Sequence, residues 1–442
     1  MSKNLFLRLA ALFAAVFALS SFLLLPICAA KPETPEKIGA AYLFNIENEK
    51  EIFSYNKSKK MFPSASVKIM TAIVAYDALS DKMDQRVTVT REMISGVSGN
   101  HIAIEAGEKI LVSDLFYALL LKGANDAAYV LANVSYGSVS AFVDKMNEYA
   151  KSIGAMDTVF LNPTGMHHPD MTTTAYDMFL ISRKFYERTE LLTMSGVSKH
   201  TIKPTNDCLE RNIYNRNAFV TKLNSMGTKE YYYQHAKGIC YGSTTEGGDS
   251  FSTVAEKDGL TYICVILGAE QSEDGEKIYA FGAAKTLLDY ALDGFGYIKV
   301  LDTLKNVHDM PVSLSEETDR VMLVPSGEIK AYLPHDIDFD TDISYSYTLN
   351  SESLTAPVAE GEEAGSISVY YKDTLLGTVK LVCQNEVKRS GFLYTLDKIK
   401  TFTQSKFFIC TVIFLIVFTV GFVLINSVIR AKKSKRYHYR YR

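Results

Sequence analysis

Lys68 is the one basic residue in the apolar run Ser66–Leu79, and that placement sets the first chemical question. A lysine held in an apolar helix is desolvated, which favours the neutral amine and lets it accept a proton. The donor it would serve must lie on the same helix face, three or four residues away. Three residues back stands Ala65, which has no hydroxyl. Ser66, two residues away, is turned roughly 200° around the helix and faces elsewhere. Ser64, four residues back, shares the face of Lys68; it also stands where its hydroxyl would cap a backbone N–H at the helix start. Further polar candidates are Asn125, Asp126, Asn162, Asp177 and the adjacent pair His167 and His168. The two histidines lack a third partner, and no Cys-x-x-Cys occurs, so the sequence calls for no metal and no cofactor.

These groups need elements to hold them. Ala40–Ile46 and Glu51–Tyr55 flank the polar turn at Glu47–Lys50 and read as a hairpin. Ser66–Leu79 reads as a buried helix. Asp114–Leu121, with Ser113 as its cap, and Asp126–Ala132 read as two more helices. Ser140–Ile153 is amphipathic and stops at Gly154. Ser250–Ala255 and Leu260–Leu267 flank Lys257-Asp258-Gly259, a second hairpin, and Tyr279–Leu292 is a helix closing at Gly294. Beyond Tyr297 the texture changes to short β-rich runs (Arg320–Val324, Ile343–Leu349, Ser366–Tyr371, Thr378–Val382), as in a small β-sandwich.

The ends carry addresses. Lys3 and Arg8 precede the apolar stretch Leu9–Leu25 and the small residues Cys28-Ala29-Ala30, the pattern of a secretory signal; an uncleaved signal anchor is the rival reading. Phe407–Ile429 is apolar and uncharged, and about 20 such residues span the ~30 Å hydrocarbon core. A basic tail follows directly, which places it in the cytoplasm and the body outside. Formal net charge is −3; residues 1–30 carry +2 and Arg430–Arg442 carry +7, which leaves −12 on 31–429. An acidic body offers nothing to nucleic acid. Cys208, Cys240, Cys264 and Cys383 are widely spaced in a body too long to need disulfides, and they read as free thiols.

Five segments, in order, resemble the D-alanyl-D-alanine carboxypeptidases, the low-molecular-mass serine penicillin-binding proteins. Pro63-Ser64-Ala65-Ser66-Val67-Lys68-Ile69-Met70-Thr71 resembles their Pro-Ala-Ser-x-x-Lys-x-Met-Thr. Lys122-Gly123-Ala124-Asn125-Asp126-Ala127 resembles Ser-x-Asn-Asp-Ala. Asn162-Pro163-Thr164-Gly165-Met166 with Thr174-Ala175-Tyr176-Asp177-Met178 resembles Asn-Pro-x-Gly and Thr-Ala-x-Asp-Met. Asn215-Arg216-Asn217 resembles Asn-Thr-Asn, and Gly238-Ile239-Cys240-Tyr241-Gly242 stands where the family has Gly-x-Lys-Thr-Gly. The resemblance implies an α/β, penicillin-binding-protein/β-lactamase-like transpeptidase fold with a C-terminal all-β sandwich and a transmembrane helix. Its divisions would be a signal peptide (1–30), the carboxypeptidase-like domain (31–295), the β-sandwich (296–388), a juxtamembrane connector (389–406), the span (407–429) and the tail (430–442). It also implies an envelope location and a peptidoglycan stem peptide or related envelope ligand.

By the same resemblance, the lysine three residues after the serine takes its proton, the second serine relays it to the leaving amine, and the lysine of Lys-Thr-Gly holds the substrate carboxylate. Here the nucleophile position is Ala65, the relay position Gly123, and the carboxylate-binding pair Cys240 and Tyr241. Lys68, Asn125 and Gly242 are retained. Loss of a nucleophile alone costs about 10⁶ in turnover. The expectation is a chain that binds or regulates at the envelope and does not hydrolyse, its cleft disfavouring a free carboxylate because Lys-Thr-Gly has lost its cation. The alternative is an active carboxypeptidase that uses Ser64.

Overall fold

The computed structural model describes residues 32–222, 229–272 and 277–438. Residues 1–30, expected to be a signal peptide, and the last residues of the tail, 439–442, lie outside the described residues. The chain divides into two compact units, the first reaching Gly296 with Pro334–Asp336, the second holding Tyr297–Leu333 and 337 onward.

The first unit begins with strands β1 (Ala40–Asn45) and β2 (Lys50–Tyr55), the expected hairpin. A short 3-10 turn, Ser64–Ser66, leads into helix α1 (Val67–Leu79). Its residues from Val67 to Ala75 are all buried, as a helix apolar on every side must be. Strands β3 (Arg86–Thr88) and β4 (Lys109–Leu111) pair, and helix α2 (Val112–Tyr117) runs into a π turn at Ala118–Lys122. The α2 N-cap is Leu111, not Ser113, and no side chain caps it. Helix α3 (Asn125–Tyr136) follows, then α4 (Val139–Ser152), whose cap is Ser138 accepting from the Ala141 N–H. Helices α5 (Ala175–Tyr186) and α6 (Thr189–Gly196) and the hairpin β5 (Lys199–Ile202) and β6 (Arg211–Tyr214) complete the inserted helical part.

The chain then returns to the sheet as β7 (Ala236–Thr244), β8 (Gly248–Lys257) and β9 (Leu260–Ala269) and closes with helix α7 (Tyr279–Gly294). The five strands run antiparallel in the order β2-β1-β9-β8-β7, with β7 at the edge. Strand β9 is buried on both faces because helices cover both. Ile263, Val265 and Leu267 join the core built with α1 and α5, whereas the Tyr262 hydroxyl on the other face donates to the Ala291 carbonyl of α7 at 3.3 Å. On that second face Phe281 of α7 packs on Phe219, Phe251 and Tyr241. Burying each large apolar side chain contributes about 1.5–3 kcal/mol, so the two layers hold β7 firmly at the sheet edge.

The second unit is a β domain. A six-stranded sheet contains β11 (His308–Ser313), β12 (Arg320–Pro325), β14 (Ile343–Leu349), β15 (Leu354–Thr355), β16 (Glu363–Tyr371) and β17 (Thr374–Cys383); its order is β14-β16-β17-β12-β11-β15. A two-stranded ribbon, β10 (Phe295–Leu301) with β13 (Ile329–Pro334), shares its core through Val300, Leu301, Ile329 and Leu333. Helix α8 (Gly391–Gln404) exposes Phe392, Leu396 and Ile399. Helix α9 (Lys406–His438) contains the stretch Lys406–Lys432, apolar and long enough to cross a membrane.

Candidate active site

The cleft lies along β7, where α1, the π turn and the loop 162–166 converge. Thr71 on α1 donates to the Pro163 carbonyl at 2.7 Å, and Lys68 donates to the Thr164 carbonyl at 2.5 Å, so the loop is tied over the start of the helix. Asn162 shapes that loop: its Oδ1 accepts from the N–H groups of Thr164 and Gly165 at 3.1 and 2.8 Å. Asp177 stays outside the cleft and accepts from the Asp157 N–H and the Thr158 hydroxyl. Asp126 accepts from the N–H groups of Ile102 and Ile104, so it anchors a loop beside helix α3.

A cavity of about 180 Å³ is lined by Ala65, Lys68, Gly123, Asn125, Arg216 and Tyr241 among others. The structure thus brings most of the sequence-selected positions together. Ala65 presents only a methyl group, and strand β7 packs hard against it. A Cβ on Gly242 would stand 2.0 Å from the Ala65 Cβ, so only glycine permits that approach. Gly123 has φ +70°, a left-handed conformation, and a Cβ there would come into contact with Lys68 and Arg216, 3.9 Å from each.

Alternation along β7 separates the remaining two positions. Cys240 turns inward and joins the apolar core, buried with its thiol pushed up by burial, and does not line the cavity. Tyr241 turns the other way. Its ring centroid is 4.7 Å from that of Phe281, and its hydroxyl donates to Asp249 at 3.2 Å. Burial raises both the Tyr241 phenol and the Asp249 carboxyl above their ordinary pKa values.

Lys68 is 4% exposed. Burial pushes its amine down to about 8; a neighbouring thiol, Cys240, opposes this slightly and the Arg216 charge adds to it. Asn125 donates through Nδ2 to the Ser98 carbonyl at 2.7 Å, while its buried Oδ1 has no hydrogen-bond partner among the described residues. Ser64 has φ +50° and opens on a separate, narrow cavity with Pro63, His167 and Thr244. It caps no helix N–H. Its hydroxyl donates to the Gly248 carbonyl at 3.1 Å and accepts from Thr244 at 3.0 Å. His167 packs edge-on against Phe62, and His168 Nδ1 accepts from the Asp170 N–H.

Arg216 is the residue the sequence reading passed over. Asn215 pins its neighbours by donating to the Ser195 and Val197 carbonyls, and the Arg216 N–H donates to Leu121 O. The guanidinium therefore enters the cleft beside the π turn. The expectation of a cleft without its cation is corrected: the lysine position is lost, yet a positive charge remains. The only signal was Arg216 itself within Asn215-Arg216-Asn217, and nothing local says that this loop reaches the cleft.

A family model described as D-alanyl-D-alanine carboxypeptidase matches residues 30–271, and one for the C-terminal domain of penicillin-binding protein 5 matches 304–389. The chain is 22% identical over 369 residues to the D-alanyl-D-alanine carboxypeptidase DacF of Bacillus subtilis, covering 83% of this chain and 90% of that protein. It is 26% identical over 384 residues to DacD of Salmonella typhimurium, covering 81% and 88%. The fold matches the crystal structure of DacD from Francisella tularensis with a TM-score of 0.58 at 20% identity, over 83% of this chain and 97% of that one. Penicillin-binding protein 5 of Haemophilus influenzae matches with a TM-score of 0.56 at 20% identity, over 81% and 99%.

Proposed function

We propose that this chain, which belongs to the D-alanyl-D-alanine carboxypeptidase family, is a membrane-anchored envelope protein that holds the end of a peptidoglycan stem peptide without acylating itself. The observation that carries the reading is Ala65 in the cleft beside Lys68: a proton acceptor stands there with no hydroxyl three residues before it. Gly123 removes the relay hydroxyl as well. The cavity itself persists, lined by Arg216, which would meet a peptide carboxylate, and by Asn125, whose Oδ1 would meet an amide N–H. Such a chain would act as a binding or regulatory module.

The rival reading, an active carboxypeptidase working through Ser64, has less support. The Ser64 hydroxyl is engaged by Thr244 and Gly248 and opens on a different cavity from Lys68. Labelling the full chain with fluorescent penicillin separates the two. The binding reading expects no labelled band, together with measurable peptide binding and no release of D-alanine. A band that cold penicillin abolishes, and that Ser64→Ala also abolishes, overturns it.

A further inference from the structure

We propose that the Lys68 amine is itself a nucleophile, and that the cleft captures small oxo acids (aldehydes or ketones bearing a carboxylate) as an imine on Lys68. The geometry begins with Gly123. A Cβ at that position would stand 3.9 Å from Lys68 Cε and 3.9 Å from Arg216 Nη1. A side chain there would fill the space between amine and guanidinium; glycine leaves it open to the cavity of about 180 Å³ that both residues line. The hydrogen bond that Lys68 makes goes to a carbonyl, Thr164 O. A neutral amine can still donate to that acceptor, more weakly than an ammonium, and a carbonyl carries no charge that would hold the proton on. Lys68 makes no ion pair with a carboxylate among the described residues that would hold it charged. Burial and the Arg216 charge favour the neutral form further, so about a tenth of the amine is unprotonated at neutral pH.

The step balances without an outside reagent. The Nζ lone pair attacks the carbonyl carbon, and the C=O π bond opens to a carbinolamine as a proton passes from nitrogen to oxygen. Loss of water then leaves the C=N bond. Arg216 pairs with the carboxylate of the incoming molecule, a charge-assisted contact that selects acids over neutral carbonyl compounds. The unpartnered Asn125 Oδ1 is the acceptor available to the carbinolamine hydroxyl. None of this uses the hydroxyl missing at Ala65, and none rests on stem-peptide binding, so the two readings fail independently.

The test uses the full chain in detergent micelles at pH 7, glyoxylate, and sodium cyanoborohydride to trap the imine, read by peptide mass spectrometry. Lys68 should be carboxymethylated about tenfold or more faster than the exposed Lys59 of the same molecules, a comparison that needs no variant. Its rate should saturate with glyoxylate and fall about tenfold in Arg216→Gln. With glycolaldehyde, which has no carboxylate, the same substitution should slow Lys68 clearly less, by no more than the loss of the Arg216 charge raises the amine's pKa. Labelling of Lys68 no faster than Lys59 overturns the proposal. Equal loss for both aldehydes in Arg216→Gln overturns the role given to the carboxylate and, with it, the oxo-acid class.

Discussion

Arg216 holds its guanidinium 5.6 Å from the centre of the Tyr241 ring, so the aromatic side chain that replaces a small hydroxyl in the family pattern supports a cation at the cleft. The attraction of a cation for a ring face is worth roughly 0.5–2 kcal/mol, more as water is excluded. Asp249 is near enough to feel the Arg216 charge; its Oδ2 accepts from the Tyr241 hydroxyl, and no ion pair joins it to Arg216 among the described residues. An incoming anion would meet the guanidinium from the cavity.

A peptide ending in D-Ala-D-Ala as the free acid should bind more tightly than its amide. Arg216→Gln should remove that difference, about 1.5–3 kcal/mol for a hydrogen bond to a charged group. Calorimetry with the matched peptides measures it. Equal affinities for the wild type would mean that Arg216 faces no ligand carboxylate.

Ala65→Ser alone should not restore penicillin labelling. Gly123, Cys240 and Tyr241 still lack the relay and carboxylate groups, and each such loss costs about 10²–10³ in rate. The double variant Ala65→Ser, Gly123→Ser should label at least about 100-fold faster than the single one. Gly123→Ser by itself should lower stability by about 1–2 kcal/mol, because φ is +70° there.

Lys68 should make stability rise with pH above neutrality. Its amine titrates at about 8 in the folded chain, against an ordinary value of 10.5. Below pH 8 the folded state carries the full cost of a buried ammonium, about 3 kcal/mol. Between 8 and 10.5 the unfolded chain binds more protons than the folded one, so raising the pH favours folding. Lys68→Met should be the more stable protein at pH 7, and urea unfolding should show the gap closing by pH 10.5. A gap that does not move with pH would mean that the amine is not depressed.

Arg211 should be indispensable to the fold in a way that surface ion pairs are not. It bonds to Glu108, which is fully buried and also accepts from the Thr205 hydroxyl at 3.0 Å and the Glu105 N–H at 3.2 Å. Arg211→Met strands that carboxylate and should cost about 3–5 kcal/mol in urea unfolding. Adding Glu108→Leu should recover most of the loss. No recovery would place the role of Arg211 in its bond to the Ile102 carbonyl instead.

The apolar stretch of α9 and the basic residues after it predict one crossing with the body outside. Protease added to intact cells should digest the body and spare an epitope placed after Arg442. Loss of the epitope under the same treatment means the opposite orientation.

The sequence by itself determined what is written in residue identity and short-range periodicity. Lys68 stands alone in an apolar run, Ala65 and Gly123 stand where the family resemblance expects two hydroxyls, and a long apolar stretch precedes the basic residues from Arg430; none of these depends on where distant segments lie. Helix α1 and the two hairpins of the sheet were legible because apolar runs and the polar turns that separate them leave their mark within a dozen residues. Helix α5 was read only as a motif, since its apolar face makes sense only once Phe179 meets Tyr42 and Phe44 across the sheet. The direction of each site group was decided by tertiary structure alone. Alternation makes Cys240 and Tyr241 face opposite ways, but only the folded sheet says which one meets the core with α1 and which one meets α7. Ser64 is four residues from Lys68, yet a left-handed backbone and the Thr244 hydroxyl turn it to another cavity. Arg216 reaches the cleft because Asn215 bonds to carbonyls nearly twenty residues earlier. Partners of that kind are set by the folded chain in three dimensions, and backbone carbonyls, which hold both Asn215 and Lys68, carry no signature in a sequence at all.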